Sequence, residues 1–555
     1  MSFQRNSVTA SKSNMFARNP AVNVPRSLYR RPFGHTTTFN SGFLVPIFCD
    51  EILPGDTVAC KVSAVARIAT LLHPIMDNLT LQMHAFFVPN RLVWSNWQKF
   101  MGEQDNPTDS IDFVIPQTLV SPQVDDIFDH FGLSPLNDTT NGSSYSVSAL
   151  PFRAYNLIWN EWFRNENLQD SVATNVDQQT DTASDYKMLP RSKRKDYFTS
   201  ALPFPQKGPS VAVSLAGTAP VHSADNAFPT FNVPLSNGMT TPAQGMSVIN
   251  TQSSSGVFGA FEDYGVGFDT NSSNVVYWAD PQLYVDLSLS SPLNIEDLRQ
   301  GFMLQQFLER DARGGTRYTE LLRAHFGVIS PDARLQRPEY LGAVSSPINI
   351  QATQQTSFGT TGTSPQGNLA ANGTLQMSNQ FLFHKSFVEH GHILVLMSIR
   401  SYPKYQQGVS RMWLRQTRYD FAFPDFAHLG EQSILNKEIY VVGENSNDAV
   451  GSGQNYDVFG YAERYADYRA PYQFISGYFR SSSPDSLDSW TLAENFTDLP
   501  VLSDAFIQDN PPIDRVVADS DNVSAQFLFS GMFDCVYIRP LPTYSLPAGL
   551  SGGRF

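Results

Sequence analysis

Short segments in which apolar and polar residues alternate are the feature that most constrains the fold of this chain. Between Leu79 and Phe87, apolar residues at odd positions alternate with mostly polar residues at even positions. Residues two apart in a β-strand lie on the same face, so this pattern predicts a strand with one buried face. The first strand pattern begins at Phe43. Further strands are predicted at Leu283–Ser290, Phe387–Ile399, Ile439–Val442, Val523–Phe529 and Cys535–Ile538.

Long stretches of sequence separate these predicted strands. At 555 residues the chain could hold several domains, or one sandwich with large insertions. The 36 Pro and 35 Gly, and the lack of a long periodic apolar helix in the sequence, favour a loop-rich β protein. Long connections let strands that are distant in sequence pair in two packed sheets, which favours a jelly roll. Helices are predicted only within the connections, after Pro151, after Asn294 and from Tyr318.

Charge is distributed unevenly along the chain, although the formal net charge is −14. The sequence predicts that residues 1–33 form a basic arm without periodicity. From Met1 to Cys49 there is no acid, and the cations are Arg5, Lys12, Arg18, Arg26, Arg30 and Arg31. These six are candidates for contact with DNA. Charge alone leaves two interpretations open: a protein that faces nucleic acid on one side and water on the other, or a solvated basic tail beside a neutral loop.

The stretch from Gly208 to Leu298 contains no Lys or Arg. Within it, residues 209–281 are rich in Gly, Ser, Thr, Asn and Pro, yet they keep aromatic side chains that a disordered linker would lack. These aromatic residues are Phe228, Phe231, Phe258, Phe261 and Phe268. We therefore predict an ordered surface insertion at 209–281, which needs neighbouring copies to bury these rings.

A dense basic segment lies between Leu189 and Gly208. Its cations are Arg191, Lys193, Arg194 and Lys195. The aromatic pair Tyr197–Phe198 follows, and prolines on both sides prevent a continuous helix. The sequence leaves two interpretations open: a solvated face, or an inward or inter-subunit patch anchored by the two aromatic residues. A nuclear-localisation signal is the weakest alternative.

This segment closely resembles the signature of the major capsid proteins of the gokushovirus branch of the Microviridae, which are small icosahedral phages with circular single-stranded DNA. The family pattern has His where this chain has Lys195, which keeps a polar and potentially cationic group. The resemblance weakens in the first thirty residues, between about 209 and 280, and at the Gly-rich C-terminal end. Elsewhere the similar motifs include Asp50–Thr57, Pro74–Leu79, Phe87–Trp94, Lys99–Gln104, Gly314–Tyr318, His325–Val328, Ser330–Gly342, His428–Gln432 and Arg539–Pro542.

The resemblance implies a mainly β fold, namely a single eight-stranded antiparallel jelly roll of the viral capsid type with long loop insertions and a few short helices. The predicted parts follow in chain order. They are a basic arm that faces the interior (1–33), the first part of the jelly roll (34–208), a protrusion at the three-fold axis (209–281) and the remainder of the jelly roll (282–555).

The resemblance also implies a structural function without catalysis, cofactor or metal. The expected protein is a virion component, assembled in the host bacterial cytoplasm through pentamers into a T=1 shell around single-stranded DNA. Its implied partners are other copies of the chain, the genome, a small basic DNA-binding protein, a scaffolding protein of the phage, and a host cell-surface receptor that the insertion contacts. Trp94, Trp97 and Arg337 are candidates for core or interface anchors.

Two other classes of function fit parts of the sequence. His390 and His392 lie two residues apart on a predicted strand, so both imidazoles could face one metal ion, as in cupins. The Glu that the cupin pattern requires is absent from Ile393–Met397, which favours a packing or interface role for these histidines. The second alternative is a carbohydrate-binding jelly-roll module, because jelly rolls also serve lectins and the insertion carries aromatic residues.

Several further classes are disfavoured by what the sequence lacks. The sequence contains no P-loop, no Rossmann glycine pattern, no nucleophile elbow and no HExxH motif. The best apolar run, Ile393–Ile399, is far too short to cross a membrane and predicts a buried strand. Cys49, Cys60 and Cys535 form neither a CxxC pair nor an even framework, so we predict reduced thiols in the core.

Overall fold

A computed structural model gives the fold of the chain. The structure describes residues 25–136, 143–212, 295–356, 366–443, 453–518 and 525–544, together with short strands between 221 and 285. The chain divides into two compact units. One consists of Met1–Lys207 and Glu309–Phe555, and the other is Gly208–Leu308. The predicted insertion at 209–281 falls within the second unit, which continues for 27 residues beyond it.

β-Strands dominate the described residues and account for most of the paired backbone. In chain order they are β1 (Ser27–Phe39), β2 (Val45–Ile52), β3 (Thr57–Ile68), β4 (Thr80–Pro89), β5 (Gln117–Val120), β6 (Tyr145–Ser148), β7 (Val221–Ser223), β8 (Phe231–Pro234), β9 (Thr240–Pro242), β10 (Tyr277–Trp278), β11 (Leu283–Val285), β12 (Glu339–Pro347), β13 (Asn349–Gln354), β14 (Leu369–Ser386), β15 (Gly391–Arg400), β16 (Lys404–Tyr405), β17 (Glu431–Leu435), β18 (Val458–Glu463), β19 (Gln473–Phe474) and β20 (Phe527–Arg539).

The α-helices are mostly single turns within the connections. They are α1 (Asn90–Val93), α2 (Trp97–Phe100), α3 (Ile127–His130), α4 (Leu150–Ile158), α5 (Ile295–Gly314), α6 (Tyr318–Phe326), α7 (Asn436–Ile439), α8 (Ala466–Arg469) and α9 (Asp504–Ile507). A π-helical segment, Trp159–Phe163, continues α4. The predicted helices after Pro151 and from Tyr318 are confirmed as α4 and α6. The predicted cap Asn294 lies outside the described residues.

Two large antiparallel sheets form the centre of the first unit. The first sheet has the order β1-β20-β3-β14-β13, and the second has the order β12-β4-β15-β2. Neighbouring strands are mostly far apart in sequence. Ser27 of β1, for example, lies opposite Arg539 of β20. Two long connections leave these sheets, one from β4 to β12 (residues 90–338) and one from β15 to β20 (residues 401–526). The prediction of a mainly β fold with long insertions is confirmed.

The main hydrophobic core lies between the two sheets, and strict alternation of side chains builds it. In β4, Leu81, Met83 and Ala85 point into this core and are fully buried. Phe86 lies between Ala85 and Phe87, which both face this core, so it has the opposite orientation and belongs to a second core on the other face of the sheet. The same division occurs in β15, where Ile393 packs into the first core and Leu394 into the second. Burial on both faces explains the uninterrupted apolar run of β15.

Helix α4 covers the second face of the β12-β4-β15-β2 sheet. Phe152 and Tyr155 of its apolar stripe are buried in the second core, as is Trp159 of the π-helical segment that follows. The opposite side of the helix contributes Arg153, which forms an ion pair of 2.6 Å with Asp181, and both side chains are almost completely buried. Arg153 also donates to backbone carbonyls of the first connection, including that of Val93 at 3.1 Å. A buried pair with this many hydrogen bonds is costly to break, because removing one partner leaves an uncompensated charge.

Strand β1 corrects the predicted start of regular structure. The pattern-based prediction began the strands at Phe43 and treated residues 1–33 as an arm without periodicity, but β1 begins at Ser27. The prediction is therefore wrong for residues 27–33. The physical reason is that β1 is an edge strand with mostly exposed side chains, held by backbone pairing with β20. Such a strand carries no apolar alternation for a sequence pattern to detect.

Three other predicted strands also need correction. The run Ile439–Val442 is not a strand: Ile439 ends helix α7, where its side chain is buried in a small third core. The run Phe387–Ile399 is interrupted, because β14 ends at Ser386 and β15 begins only at Gly391. In the run Val523–Phe529, strand β20 begins at Phe527, and residues 523–524 are outside the described residues. Short apolar runs alone do not distinguish a strand from a buried turn of helix.

Two smaller observations concern thiols and membranes. Cys49, Cys60 and Cys535 are free thiols; the last two are buried in the first core and Cys49 is partly buried. Within the described ranges, no helix combines the length and the apolar character needed to cross a membrane.

The turn before β2 provides a test of the packing. Gly42 has a φ of +86°, and a Cβ at this position would collide with the carbonyl oxygen of Asp509. We expect Gly42→Ala to lower the free energy of unfolding by about 2 kcal/mol or more, from the left-handed backbone and the collision together. Gly102 is the matched control, because it has a φ of +106° and open space around it. Equal shifts in the thermal midpoint for Gly42→Ala and Gly102→Ala would contradict this account.

Candidate functional site

Residues 189–202 of the basic segment are held in an extended path by backbone hydrogen bonds to distant parts of the chain. Leu44 N–H donates to the Leu189 carbonyl at 2.9 Å, and Arg191 N–H donates to the Gly42 carbonyl at 2.7 Å. Farther along, Lys193 N–H donates to the carbonyl of Ile507 at 2.7 Å. The segment therefore joins the start of β2 to the second connection, which fixes the positions of its cations.

Two aromatic side chains anchor the segment after its cations. Tyr197 and Phe198 are both buried in the third core, together with residues of the second connection. The Tyr197 hydroxyl donates to Glu438 at 2.8 Å, and Arg411 also contacts this carboxylate at 2.9 Å. Burial raises the pKa of Glu438 although these donors oppose the shift. Both aromatic anchors, Tyr197 and Phe198, therefore pack against other residues of the same chain.

The four predicted cations are partly or largely withdrawn from solvent, with the exception of the more exposed Lys195. Arg191 lies over the Phe163 ring, 4.3 Å from its centroid. Arg194 lies over the Tyr402 ring at 4.1 Å, and Lys193 lies over Phe506 at 4.9 Å. Such contacts between cations and ring faces stabilise a charge that has lost part of its hydration. A fully solvated basic face is therefore wrong for Arg191, Lys193 and Arg194, whereas an interior or interface location stays a prediction.

These cations line an open cavity of about 1050 Å³ in the first unit. Its walls come from the end of α4, the basic segment, the end of β15 and the α5–α6 junction. Nine cations line it, and they are Arg164, Arg191, Lys193, Arg194, Lys195, Arg313, Arg317, Arg323 and Arg400. The lining acids are Glu166 and Glu320, so the wall carries a large excess of positive charge.

The positive charge of the wall contributes to the lowered pKa values of two groups in or near it, Arg191 and His84. Burial lowers the pKa of Arg191 to about 9, and repulsion from Arg400 and Arg194 adds to this shift. Burial also lowers the pKa of His84 to about 4, again with a contribution from the Arg191 and Arg400 charges. His84 therefore stays neutral beside the cavity at physiological pH, and the positive potential comes from the Arg and Lys side chains.

Asp509 is a buried acid in contact with the cations of this cluster. Its carboxylate lies 3.6 Å from the guanidinium of Arg400, and its N–H donates to the Arg191 carbonyl at 2.8 Å. Burial raises the pKa of Asp509 from 3.8 to about 7, although Arg400, Lys193 and Arg191 favour its charged form and only Glu494 opposes it. The carboxylate consequently carries only part of its charge near pH 7.

The predicted DNA-facing cations are only partly described. Arg5, Lys12 and Arg18 lie outside the described residues. Arg26 and Arg30 are exposed, and Arg30 is on the edge strand β1. Arg31 forms an ion pair of 2.7 Å with Asp50, so its charge is already balanced within the chain. Contact between these side chains and DNA remains a prediction.

Most of the aromatic residues of the predicted protrusion lie outside the described residues. Phe228, Phe258, Phe261 and Phe268 lie outside the described residues, and for Phe231 only its position at the start of β8 is described. The protrusion therefore remains a prediction.

The two histidines of the metal alternative pack within the chain. The ring of His390 meets Trp97 edge to face at 5.6 Å, and His392 is buried, which lowers the pKa of His392 to about 4. In the part of the chain that the structure describes, no group of three His, Cys, Asp or Glu side chains could hold a metal ion.

The predicted anchors Trp94 and Arg337 also make their contacts within the chain. Trp94 is fully buried in the second core, and its indole N–H donates to Gln178 at 3.0 Å. Arg337 lies over the ring of Trp162 at 4.2 Å and donates to Asp332 at 2.8 Å. Trp97 is partly buried against the same core.

Sequence reasoning found the basic segment but missed the other half of the cavity wall. Arg164, Arg313, Arg317, Arg323 and Arg400 are spread over more than two hundred positions. No local cluster marks them, because they meet only after two long connections have folded over the end of β15. Finding these five arginines requires knowledge of which distant segments contact each other in the fold, and composition and periodicity do not give that knowledge.

Comparison with known proteins identifies the class of the chain. A family model described as "Capsid protein (F protein)", of phages, matches residues 17–549. A capsid protein VP1 from Bdellovibrio phage phiMH2K is 43% identical over 97% of this chain and 98% of its own length. The capsid protein VP1 of Chlamydia phage 1 is 40% identical over 96% of this chain and 97% of its own length. That of Spiroplasma virus 4 is 34% identical, with 94% and 95% coverage.

These matches define a structural protein of the virion and not an enzyme. The chain belongs to the phage capsid protein family, and its resemblance to the major capsid proteins of gokushoviruses is confirmed. Since capsid proteins assemble with copies of themselves into a shell, the family also favours this function over the carbohydrate-binding and cupin alternatives.

Asp509 gives a pH-dependent test of the cluster. Because its pKa is raised in the folded state, the folded protein binds this proton between about pH 4 and pH 7 and the unfolded chain does not. This residue therefore favours folding at low pH, and the contribution is lost as pH rises towards 7. We expect Asp509→Asn to flatten the change in thermal midpoint between pH 5 and pH 8, with its largest stabilising effect at pH 8.

The measurement is differential scanning calorimetry of the wild type and the variant across this pH range. The control is Asp498→Asn, which neutralises an exposed carboxylate outside the cavity. The account of Asp509 fails if both variants keep the pH profile of the wild type.

Proposed function

We propose that this chain is the major subunit of a T=1 icosahedral shell that encloses circular single-stranded DNA, and that its two large sheets form an eight-stranded jelly roll. The observation that carries the proposal is the order of the strands. In one sheet the order is β1-β20-β3-β14, and in the other it is β2-β15-β4-β12. Taken in sequence order, successive strands of these eight lie in opposite sheets, except β4 and β12, which pair with each other in the second sheet. This is the strand order of a jelly roll built from Greek keys. Strand β13 then extends the first sheet at its edge.

Exposed aromatic and apolar side chains on the two connections support assembly through large interfaces. In the second connection, Trp413 is 75% exposed and Phe474 is 72% exposed; in the first, Phe326 is 71% exposed. Large apolar residues that remain exposed in a folded subunit are typical of surfaces that become buried between subunits. Pentamers as intermediates, and help from a scaffolding protein, belong to this proposal through the family resemblance.

The basic N-terminal part supports an interior role next to the genome. It has no acid as far as Cys49, and Arg26 and Arg30 leave their charges exposed. Lys and Arg side chains bind phosphates without base specificity, so contact with DNA should be sensitive to salt and tolerant of sequence. A small basic DNA-binding protein of the phage would share this task.

The segment 209–281 supports an exterior role. It contains no cation, so a position against polyphosphate would be electrostatically unfavourable. Its high content of turn-forming residues suits a long excursion into solvent, and its phenylalanines suit contacts with neighbouring copies. In this proposal the segment forms the protrusion at the three-fold axis and takes part in host attachment.

The arm can be tested in particles produced together with the other phage proteins. We expect the wild type to form closed shells in electron micrographs. Replacement of Arg5, Lys12, Arg18, Arg26, Arg30 and Arg31 by Gln should lower the packaged DNA content and the thermal stability of filled particles, because phosphate charge loses its counter-charges. A control with six exposed cations replaced elsewhere separates position from net charge. A soluble wild-type monomer that never forms shells would overturn the proposal.

The insertion needs a different measurement. We expect replacement of residues 209–281 by a short Gly-Ser linker to leave shell formation intact, because the two sheets and their cores lie outside this segment. Adsorption of the particles to host cells should fall strongly. Normal adsorption combined with failure of the shells to close would show instead that the segment is a structural clamp.

A further inference from the structure

The charges on the cavity wall described above are incompletely balanced. Lys193 is paired with Glu494 at 2.8 Å, and Arg400 lies 3.6 Å from Asp509. Arg313 is paired with Glu431, and Arg317 with Glu166. The other five lining cations have no carboxylate within 4.0 Å among the described residues, and they are Arg164, Arg191, Arg194, Lys195 and Arg323.

Hydrogen-bonding capacity in the wall is also unused. The Nε–H groups of Arg164, Arg191 and Arg194 are buried and have no partner among the described residues. Arg191 has no side-chain hydrogen bond there, since its guanidinium rests only on the Phe163 ring. A buried donor without an acceptor destabilises the folded state, so native structures retain few of them without a functional reason. Three such donors, those of Arg164, Arg191 and Arg194, lie around this one cavity and can bind an acceptor that arrives from outside.

The geometry of the wall selects the chemistry of that acceptor. Guanidinium groups present planar pairs of donors that match the oxygens of phosphate and carboxylate. Five unbalanced cations require more negative charge than one carboxylate or one monovalent anion brings. The volume of about 1050 Å³ is that of a pocket for an organic ligand and far larger than a single inorganic ion needs. A ligand with several phosphates satisfies both the charge and the size.

We propose that this cavity is a binding site for the phosphate groups of a polyanion, supplied either by the backbone of single-stranded DNA or by a free nucleotide polyphosphate. In the first case the inference rests on the proposed function and adds a second, folded DNA contact to that of the N-terminal arm. In the second case a free nucleotide polyphosphate neutralises the excess positive charge of the cavity wall within a single subunit. The held positions of Arg191 and Lys193 make this site preorganised, unlike a flexible arm.

The test measures binding of inorganic tripolyphosphate to the full-length chain by isothermal titration calorimetry, with deoxyadenosine triphosphate and a labelled oligodeoxythymidylate as the two source probes. The variants are Arg194→Gln, which removes a partly exposed cation, and the double variant Arg191→Gln/Arg194→Gln. The matched control is Arg67→Gln/Arg334→Gln, which removes two exposed cations outside the cavity. Circular dichroism melting of each variant confirms that it is folded.

Loss of one charge-assisted contact should weaken tripolyphosphate binding by about tenfold, and loss of two by about a hundredfold. The control double variant should bind as the wild type does, and Arg194→Lys should restore part of the affinity because it keeps the charge. The ligand is DNA if tripolyphosphate displaces the oligonucleotide and the double variant binds both tripolyphosphate and the oligonucleotide more weakly than the wild type does. If the double variant weakens binding of the triphosphates and leaves the oligonucleotide unaffected, the ligand is a free nucleotide.

The inference is overturned if tripolyphosphate shows no saturable binding, or if folded cavity variants bind it as well as the control does. Electron microscopy of the same preparations keeps this outcome separate from the proposed function. Shells without phosphate binding refute the cavity site alone, whereas phosphate binding by a chain that never assembles refutes the shell proposal alone.

Discussion

The rest of the subunit depends on the backbone hydrogen bonds of residues 189–202 of the basic segment. At one end the segment adds to the start of β2, through Leu44 and Gly42. In its middle it bonds to Ile507 and Asp509, and at its end Leu202 exchanges two hydrogen bonds of 2.8 Å with Tyr461. Each of these partners is more than a hundred positions away in sequence. Such bonds are strong constraints because buried backbone groups must be paired. They hold residues 189–202 of the first connection against residues 461–509 of the second connection, within the first unit.

The sequence predicted the central strands of the fold because their environment is one-sided or fully buried. Alternation identified β4, and an uninterrupted apolar run identified β15. It did not predict β1, whose side chains are mostly exposed, or the helical turn that ends at Ile439, since burial alone does not specify strand or helix. Partner choice was also beyond a local pattern. The pairing of Ser27 with Arg539 depends on the whole intervening chain, and neither the pattern nor the resemblance predicted it, since both placed residue 27 in an arm outside the strands.

For the candidate site, the sequence predicted a cluster of cations at 191–195, and only the structure showed that this cluster lines a cavity. Arg191, Lys193 and Arg194 attracted attention because they are adjacent, and their partial burial followed from the aromatic anchors Tyr197 and Phe198. Arg164 and Arg400 gave no signal, since isolated cations are usually solvated. Their role emerges only when the π-helical end of α4 and the end of β15 are brought to the same wall. The excess of positive charge at the cavity wall therefore arises from the tertiary structure, and the net charge of −14 gives no sign of it.

The position of β20 in its sheet has a consequence for the order of events during synthesis. It lies between β1 and β3, and both of these strands are translated long before it, because β3 ends at Ile68 and β20 begins at Phe527. Until β20 leaves the ribosome, β1 has no partner in this sheet and β3 lacks one neighbour. Non-local pairing of this kind folds slowly and exposes strand edges in the interval. The sheet is therefore completed only after β20 has been made, so a subunit cannot present a finished sheet to another copy before that point.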